Sequence, residues 1–239
     1  DNYLNRLKKI YDPKVKFLKK YFSKRRNLPT VIDIGTGSGY FTYSLIKNKF
    51  PNVVGTDISE EQIKYGQKIF KKTGLNPKAL QFINELDMLS YIKNIKSEVV
   101  CLIGVLEHMH YPREFLNVVK KNNNIKFLYI CVPLFSLSVI IESNFSNVHN
   151  KHLGGTHTHL FTEKSLKTML KKINFDSVSE WWFGSDIMDM IRSFEVSANN
   201  NELLKNKIDE YKQLIDEFQL NIDKKQLSSS IHILFKRKN

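Results

Sequence analysis

The sequence predicts an α/β fold, a parallel sheet with helices on both faces. Three observations carry that prediction. Short apolar, β-branched runs alternate with helical patterns along most of the chain. The first run, Val31-Ile32-Asp33-Ile34, enters a glycine turn, Gly35-Thr36-Gly37-Ser38-Gly39-Tyr40, as a βα unit does. A second run, Val53-Val54-Gly55-Thr56-Asp57, ends in a carboxylate about one βα unit later. With 239 residues, 41% of them hydrophobic, the chain supports a full core, and residues 1–239 are expected to form a single domain.

Residues 2–24 carry Leu4, Leu7, Ile10, Tyr11, Val15, Leu18 and Phe22 at helical spacing, with Pro13 expected to split the helix in two. Strand one is expected over 30–34 and its helix over 39–49. Strand two follows at 53–57 and the next helix at 59–72, where Ser59 and Gln62 have the spacing of a capping box. Strand three is expected at 79–83 and strand four at 98–104. Pro112 then opens a helix at the position that tolerates proline best. Strand five is expected at 126–132, and 133–160 reads as irregular. Thr162 caps a helix to Lys172, strand six covers 177–183, and Ser230 to Lys236 is strand seven. Between the last two strands, residues 186–226 form an insertion, with one helix expected over 201–224 as a lid or dimer element.

The glycine turn and the second acid describe a pocket at the C-terminal sheet edge for an adenosine-containing ligand. Gly35, Gly37 and Gly39 let backbone press against it, and Asp57 can accept two hydrogen bonds from a ribose diol. Spacing decides the ligand class. A nicotinamide fingerprint needs its third glycine at position 40, which is Tyr40, and a pyrophosphate disfavours a carboxylate such as Asp33 before the turn. A sulfonium amino acid, whose ammonium favours that carboxylate, fits better.

The motif Asp33-x-Gly35-x-Gly37-x-Gly39 with Asp57 resembles the first motif of the class I S-adenosylmethionine-dependent methyltransferases. The resemblance implies a Rossmann-like, seven-stranded, mostly parallel sheet with an antiparallel last strand. It also implies S-adenosylmethionine as cofactor, held by Asp33, Gly35, Thr36, Gly37, Gly39, Tyr40, Asp57 and Ile58. Val99 to Arg113, through Gly104 and Leu106-Glu107-His108, is similar to the strand-four motif of the small-molecule subgroup, which includes ubiquinone-type and sugar O-methyltransferases. There the segment passes beneath the methyl group, with Gly104 against the cofactor. The Asp/Asn-Pro-Pro-Tyr/Phe motif of nucleic-acid amino-methyltransferases is missing. Ubiquinone-type members hold a divalent metal with a further Glu three residues before the Glu-His; that position here is Gly104, so no metal ligands are assigned. Metal dependence stays open, as does the alternative that His157 and His159, on one strand face, bind a metal.

Asn150 to Leu166, rich in histidine, resembles the segment that walls the acceptor pocket in the same subgroup, within an acceptor-side stretch at 133–160. The resemblance points to oxygen methylation of a small molecule, such as a bacterial capsule or surface-polysaccharide precursor. His108 is the first choice of base and His157 the second, with Glu107 beside them. His110, His159, Trp182 and Asp186 are expected to meet the acceptor. Each histidine has an ordinary reading too, as a loop imidazole bonded to backbone.

The net charge of +13 is concentrated in the N-terminal segment 1–28, where Lys14, Lys19, Lys20, Arg25 and Arg26 are among the basic residues. It fits an anionic acceptor, and equally the lysine and asparagine enrichment of an AT-rich genome. A nucleic-acid methyltransferase rests on charge alone, and a non-catalytic cofactor-binding partner is opposed by the intact acids and glycines. Cys101 and Cys131 lie in apolar runs, and no secretory signal is visible. The expectation is a reduced cytoplasmic protein, not inserted in a membrane, with a homodimer open.

Overall fold

Seven strands form one sheet: β1 (Val31–Ile34), β2 (Val54–Asp57), β3 (Leu80–Phe82), β4 (Val99–Ile103), β5 (Phe127–Pro133), β6 (Phe175–Trp182) and β7 (Ser230–Arg237). The computed structural model describes residues 2–145 and 151–238. The strand order is β3-β2-β1-β4-β5-β7-β6. The pairs from β3 to β5 are parallel, and β7 runs antiparallel to both β5 and β6. This is the Rossmann-like arrangement expected, with the order reversing between β1 and β4. At such a switch point the strand ends diverge and leave a crevice.

The central strands are apolar on both faces because helices cover both. Leu128, Ile130 and Val132 of β5 face one cluster, which includes Phe115 of α6 (Pro112–Lys121) and Leu166 of α8 (Glu163–Lys171). Phe127 and Tyr129 face the other, with Phe41 and Leu45 of α3 (Tyr40–Lys47). Val15 and Leu18 of α2 (Asp12–Tyr21) complete that second layer. Each fully buried side chain of this kind contributes roughly 1.5–3 kcal/mol. Cys101 and Cys131 are free and buried in this core.

Several local details differ from the sequence reading. The N-terminal helix divides as expected, but through a π-helical turn, Leu7–Tyr11, between α1 (Asn2–Arg6) and α2; Pro13 sits in the first turn of α2, where its missing N–H costs nothing. Ser59 accepts from the Gln62 amide at the start of α4 (Glu60–Lys72), but the Gln62 side chain bonds Ser38 of the glycine turn instead of closing a capping box. Thr162 does close one, with Ser165.

Residues 133–160 are not all irregular. Ser136 caps α7 (Leu137–Asn144), whose Leu-Ser-Val-Ile-Ile run reads as either strand or helix by periodicity. Residues 146–150 of that stretch lie outside the described residues. A short helix, α5 (Met88–Asn94), lies between β3 and β4. The insertion is three helices: α9 (Asp186–Ala198), α10 (Glu202–Lys212) and α11 (Ile215–Lys224), packed on Ile187, Ile191 and Ile215. Among the described residues no helix is long and apolar enough to cross a membrane.

Candidate functional site

A cavity of about 450 Å³ opens at the switch point, lined from the ends of β1, β2 and β4 by Gly35, Asp57, Ile58, Gly104 and His108. The backbone builds its floor. The Thr36 amide donates to the Thr56 carbonyl, tying the glycine turn to β2. Gly37 has φ +56° and no atom within 4 Å of where a Cβ would stand, so its face is open to a ligand. Gly35, at φ +70°, has no such room: a Cβ would come within 2.5 Å of the Val105 side chain. Its bareness lets the turn following β1 seat against the segment following β4.

Asp57 is aimed by two amides. Its Oδ2 accepts from Gly37 N at 2.7 Å and its Oδ1 from Ser59 N at 2.8 Å, which leaves lone pairs for a diol. Asp33 is placed differently from the expectation. It is 1% exposed and is not part of the cavity wall. Its Oδ2 accepts from the hydroxyls of Thr36 at 2.7 Å and Thr42 at 2.9 Å. Burial pushes its pKa up to about 6 against the pull of those hydroxyls, and the charge of Asp57 adds to the rise. Asp33 therefore braces the turn from behind, through Thr36. Gly39, at φ +80°, is the N-cap of α3. Tyr40 does not face the cavity either; it stacks between Tyr3 and Tyr11, with Arg6 over its ring.

On the other side, a short 3₁₀ turn after β4, Leu106–His108, carries Glu107 and His108, of which His108 lines the cavity and Glu107, like His157, does not. Glu107 is 3% exposed, and its Oε2 is buried without a hydrogen-bond partner among the described residues. Burial pushes its pKa up to about 7, opposed by a backbone hydrogen bond and the charge of Lys14. Its own carbonyl accepts from the amides of Thr158 and His159, which docks the following histidine segment onto this turn. His108 and His157 come together with ring centroids 4.6 Å apart. Burial, then the neighbouring His108, holds His157 below its ordinary pKa. The donor atoms of Glu107, His108 and His157 all lie within 4.8 Å of one another. One carboxylate and two imidazoles are a donor set that a divalent cation accepts, a feature the sequence reading set aside.

Of the four residues expected to meet an acceptor, His110 lines the cavity. His159 is half-buried, stacked on Phe161 and bonded to Thr158. Trp182 and Asp186 stand apart from the cavity. Asp186 is fully buried, with Oδ1 taking the amide and hydroxyl of Ser138 and Oδ2 the amide of Ser229. Burial alone would raise its pKa, but these bonds outweigh it and hold the carboxyl below its usual range. Its lone pairs are committed to joining α7, α9 and β7. Glu85, Met88 and Leu89, after β3, line the cavity and were not anticipated. The signal for them was only that β3 neighbours β2, so its end must open on the same crevice.

Residues 3–180 match a family model described as a methyltransferase domain. The chain is also similar to mouse EEF1A lysine methyltransferase 2, with 42% identity over 64 residues, 26% of either chain; the match spans about a quarter of that relative's length. Among solved structures it superposes on magnesium protoporphyrin IX methyltransferase from Synechocystis, determined with bound S-adenosylhomocysteine. That pair has a TM-score of 0.61 and 12% identity, covering 95% of this chain and 83% of the other. An S-adenosylmethionine-dependent methyltransferase from Clostridium acetobutylicum gives 0.60 at 12% identity, over 99% and 95% of the two chains.

Proposed function

This chain belongs to the methyltransferase-domain family, and from that premise we propose that it methylates an oxygen of a small anionic acceptor, using S-adenosylmethionine. The open face of Gly37, the amide-aimed Asp57 and the cavity volume suit a nucleoside with an amino-acid tail. Asp57 would hold the ribose, while Gly37 and Gly104 leave room for backbone contact. When bound, the cofactor supplies a methyl carbon already activated by its sulfonium. What the protein must add is orientation, exclusion of water and a destination for the acceptor's proton.

One observation carries the oxygen reading. His108 lines the cavity while its Nδ1 lies 3.2 Å from the Thr156 carbonyl, leaving Nε2 to take a proton from a hydroxyl. An acceptor oxygen already ionised would need no base. The net charge of +13 favours an anionic acceptor in either case. The test is transfer of a labelled methyl group to a panel of phosphorylated and nucleotide-linked sugars, against amines of similar size. Transfer to amines alone would overturn the oxygen assignment and favour an acceptor like that named for the mouse relative.

The unpartnered Oε2 of Glu107 supports a second reading, in which Glu107, His108 and His157 hold a divalent cation that binds the acceptor oxygen. Three protein donors would leave the set incomplete, and water or acceptor would complete it. Chelation followed by calorimetric titration with Mg²⁺, Mn²⁺ or Zn²⁺ separates the readings. Turnover that survives chelation leaves His108 as the base.

A further inference from the structure

We propose that Glu142, near the end of α7, is a positioning residue that sets the tautomers and the placement of His108 and His157 through the turn at residues 152–156. The hydrogen bonds of its carboxylate go to that turn. Oε1 meets His152 Nδ1 at 2.6 Å, and Oε2 accepts from the amides of His152 at 2.8 Å and Leu153 at 3.0 Å. The pair is sealed from solvent, with side-chain exposures of 1% for His152 and 5% for Glu142. Burial alone would raise the Glu142 pKa; the bonds from His152 and Leu153 outweigh it and keep the group ionised below its usual range.

The turn so anchored offers two carbonyls to the histidine pair. The His152 carbonyl lies 3.4 Å from His157 Nδ1, and the Thr156 carbonyl lies 3.2 Å from His108 Nδ1. A carbonyl only accepts, so each contact requires a hydrogen on Nδ1. The Thr156 hydroxyl, 2.9 Å from the same His108 nitrogen, either accepts that hydrogen or donates to a bare nitrogen, so at His108 the carbonyl alone selects the Nδ1–H form. Both rings are thereby held as Nδ1–H tautomers, with their Nε2 lone pairs unspent. In an imidazole, the bond made by one nitrogen decides what the other can do. At the far end of the segment, Thr158 and His159 dock on the Glu107 carbonyl. Glu142 fixes the near end, and α7 is itself pinned at its start by Asp186. The inference needs the unspent Nε2 atoms only, and holds whether they take a proton or a cation. Its activity arm rests on the methyl-transfer reading above; its spectroscopic arm does not.

The experiment uses the ¹⁵N-labelled full chain at pH 8. Long-range ¹H–¹⁵N correlations report the tautomer of each histidine in the wild type, in Glu142→Gln and in Glu142→Leu. The expected result is Nδ1–H at both His108 and His157 in the wild type and a mixture of tautomers in Glu142→Leu. Glu142→Gln should be intermediate, because its amide oxygen still accepts from backbone. In the same variants kcat should fall about 10- to 100-fold, the scale known for outer partners of metal-ligating histidines. Affinity for S-adenosylhomocysteine should hold, since Gly37 and Asp57, the residues assigned to that ligand, sit on the turns after β1 and β2 and make no bond to the 152–156 turn. Wild-type His108 or His157 in the Nε2–H form overturns the proposal. So does a folded Glu142→Gln or Glu142→Leu protein that keeps both tautomers and wild-type kcat. Shifted tautomers combined with full turnover in His108→Ala would leave the positioning role standing and remove the base assignment alone.

Discussion

Asp33 and Glu107 are both carboxylates taken almost entirely out of water, at 1% and 3% exposure, one behind the glycine turn after β1 and one on the turn after β4. Burial raises both, to about 6 and about 7. Their partners differ. Asp33 receives two hydroxyls, from Thr36 and Thr42, and closes a local network behind the glycine turn. Glu107 keeps an oxygen with no hydrogen-bond partner among the described residues. A buried acid with its bonds filled works as scaffold, and its role is finished when the chain has folded. One with an unfilled acceptor has a cost that only an incoming group can repay, whether a proton, a cation or an acceptor hydroxyl.

The largest effect should come on the unfilled side. His108→Ala is expected to lower kcat by about 10²–10⁴-fold while affinity for S-adenosylhomocysteine changes little. Asp33→Asn should do the reverse, costing stability and cofactor affinity with turnover per bound enzyme nearly kept. Steady-state kinetics beside calorimetry reads both. Wild-type kcat in His108→Ala would move the base to His157 or to an acceptor that needs none.

Stability against pH separates the two acids directly. Both folded-state pKa values are raised, so each carboxyl favours folding in acid. The contribution is complete below the ordinary values of 3.8 and 4.5 and is lost as pH climbs through about 6 for Asp33 and about 7 for Glu107. Each shift corresponds to about 3 kcal/mol. His232 acts oppositely: burial holds it well below 6.5, so the folded state loses ground as pH falls through that value. Denaturant titrations from pH 4 to 8 should show Asp33→Asn and Glu107→Gln each flattening the decline, Glu107→Gln at the higher pH. Identical profiles for Glu107→Gln and the wild type would mean that Glu107 is solvated in solution and that its unpaired oxygen is not a functional signal.

The filled side was legible in the sequence only in part, since Asp33 and Tyr40 were expected to meet the cofactor and do not line the cavity, and the unfilled side only in outline. Gly35, Gly37 and Asp57 act through backbone geometry that glycine and a strand-end acid advertise by spacing alone. Leu106-Glu107-His108 was readable as a motif, but its burial was not, because that depends on Thr158 and His159 docking from some fifty residues away. Asp186 illustrates the limit. An acid after a strand end is compatible with binding an acceptor, and only the amides and hydroxyl of Ser138 and Ser229 reveal it as a joint between elements. α7 was missed because a five-residue apolar run fits strand and helix equally, and its decisive cap, Ser136, is a weak signal in isolation.

Asp57 should sharpen the cofactor half of the comparison. Its carboxylate is held by Gly37 and Ser59 amides, so its direction is set before any ligand arrives. Asp57→Ala is expected to weaken S-adenosylhomocysteine by about 1.5–3 kcal/mol for each charge-assisted bond lost. Unchanged affinity in calorimetry would remove the ribose assignment. NAD, offered as a control, should give no thermal stabilisation.

The smallest effect is the most specific to Asp33. Thr42→Val keeps the shape of the side chain and deletes one of the two hydroxyls that favour the charged carboxylate. Thr36 remains, so the expected loss is about 1 kcal/mol, not that of a fully orphaned charge. The loss should also depend on pH. Removing a donor that lowers the pKa raises it further, so the penalty is present above about 6, where Asp33 is ionised in the folded state. Below that pH the protonated carboxyl no longer needs the hydroxyl as donor, and the variant should approach wild-type stability. Chemical denaturation at pH 4.5 and pH 8 makes the comparison. A penalty equal at both would assign the Thr42 hydroxyl to packing over Gly55, where a Cβ would stand 2.3 Å from its oxygen, and not to the carboxylate.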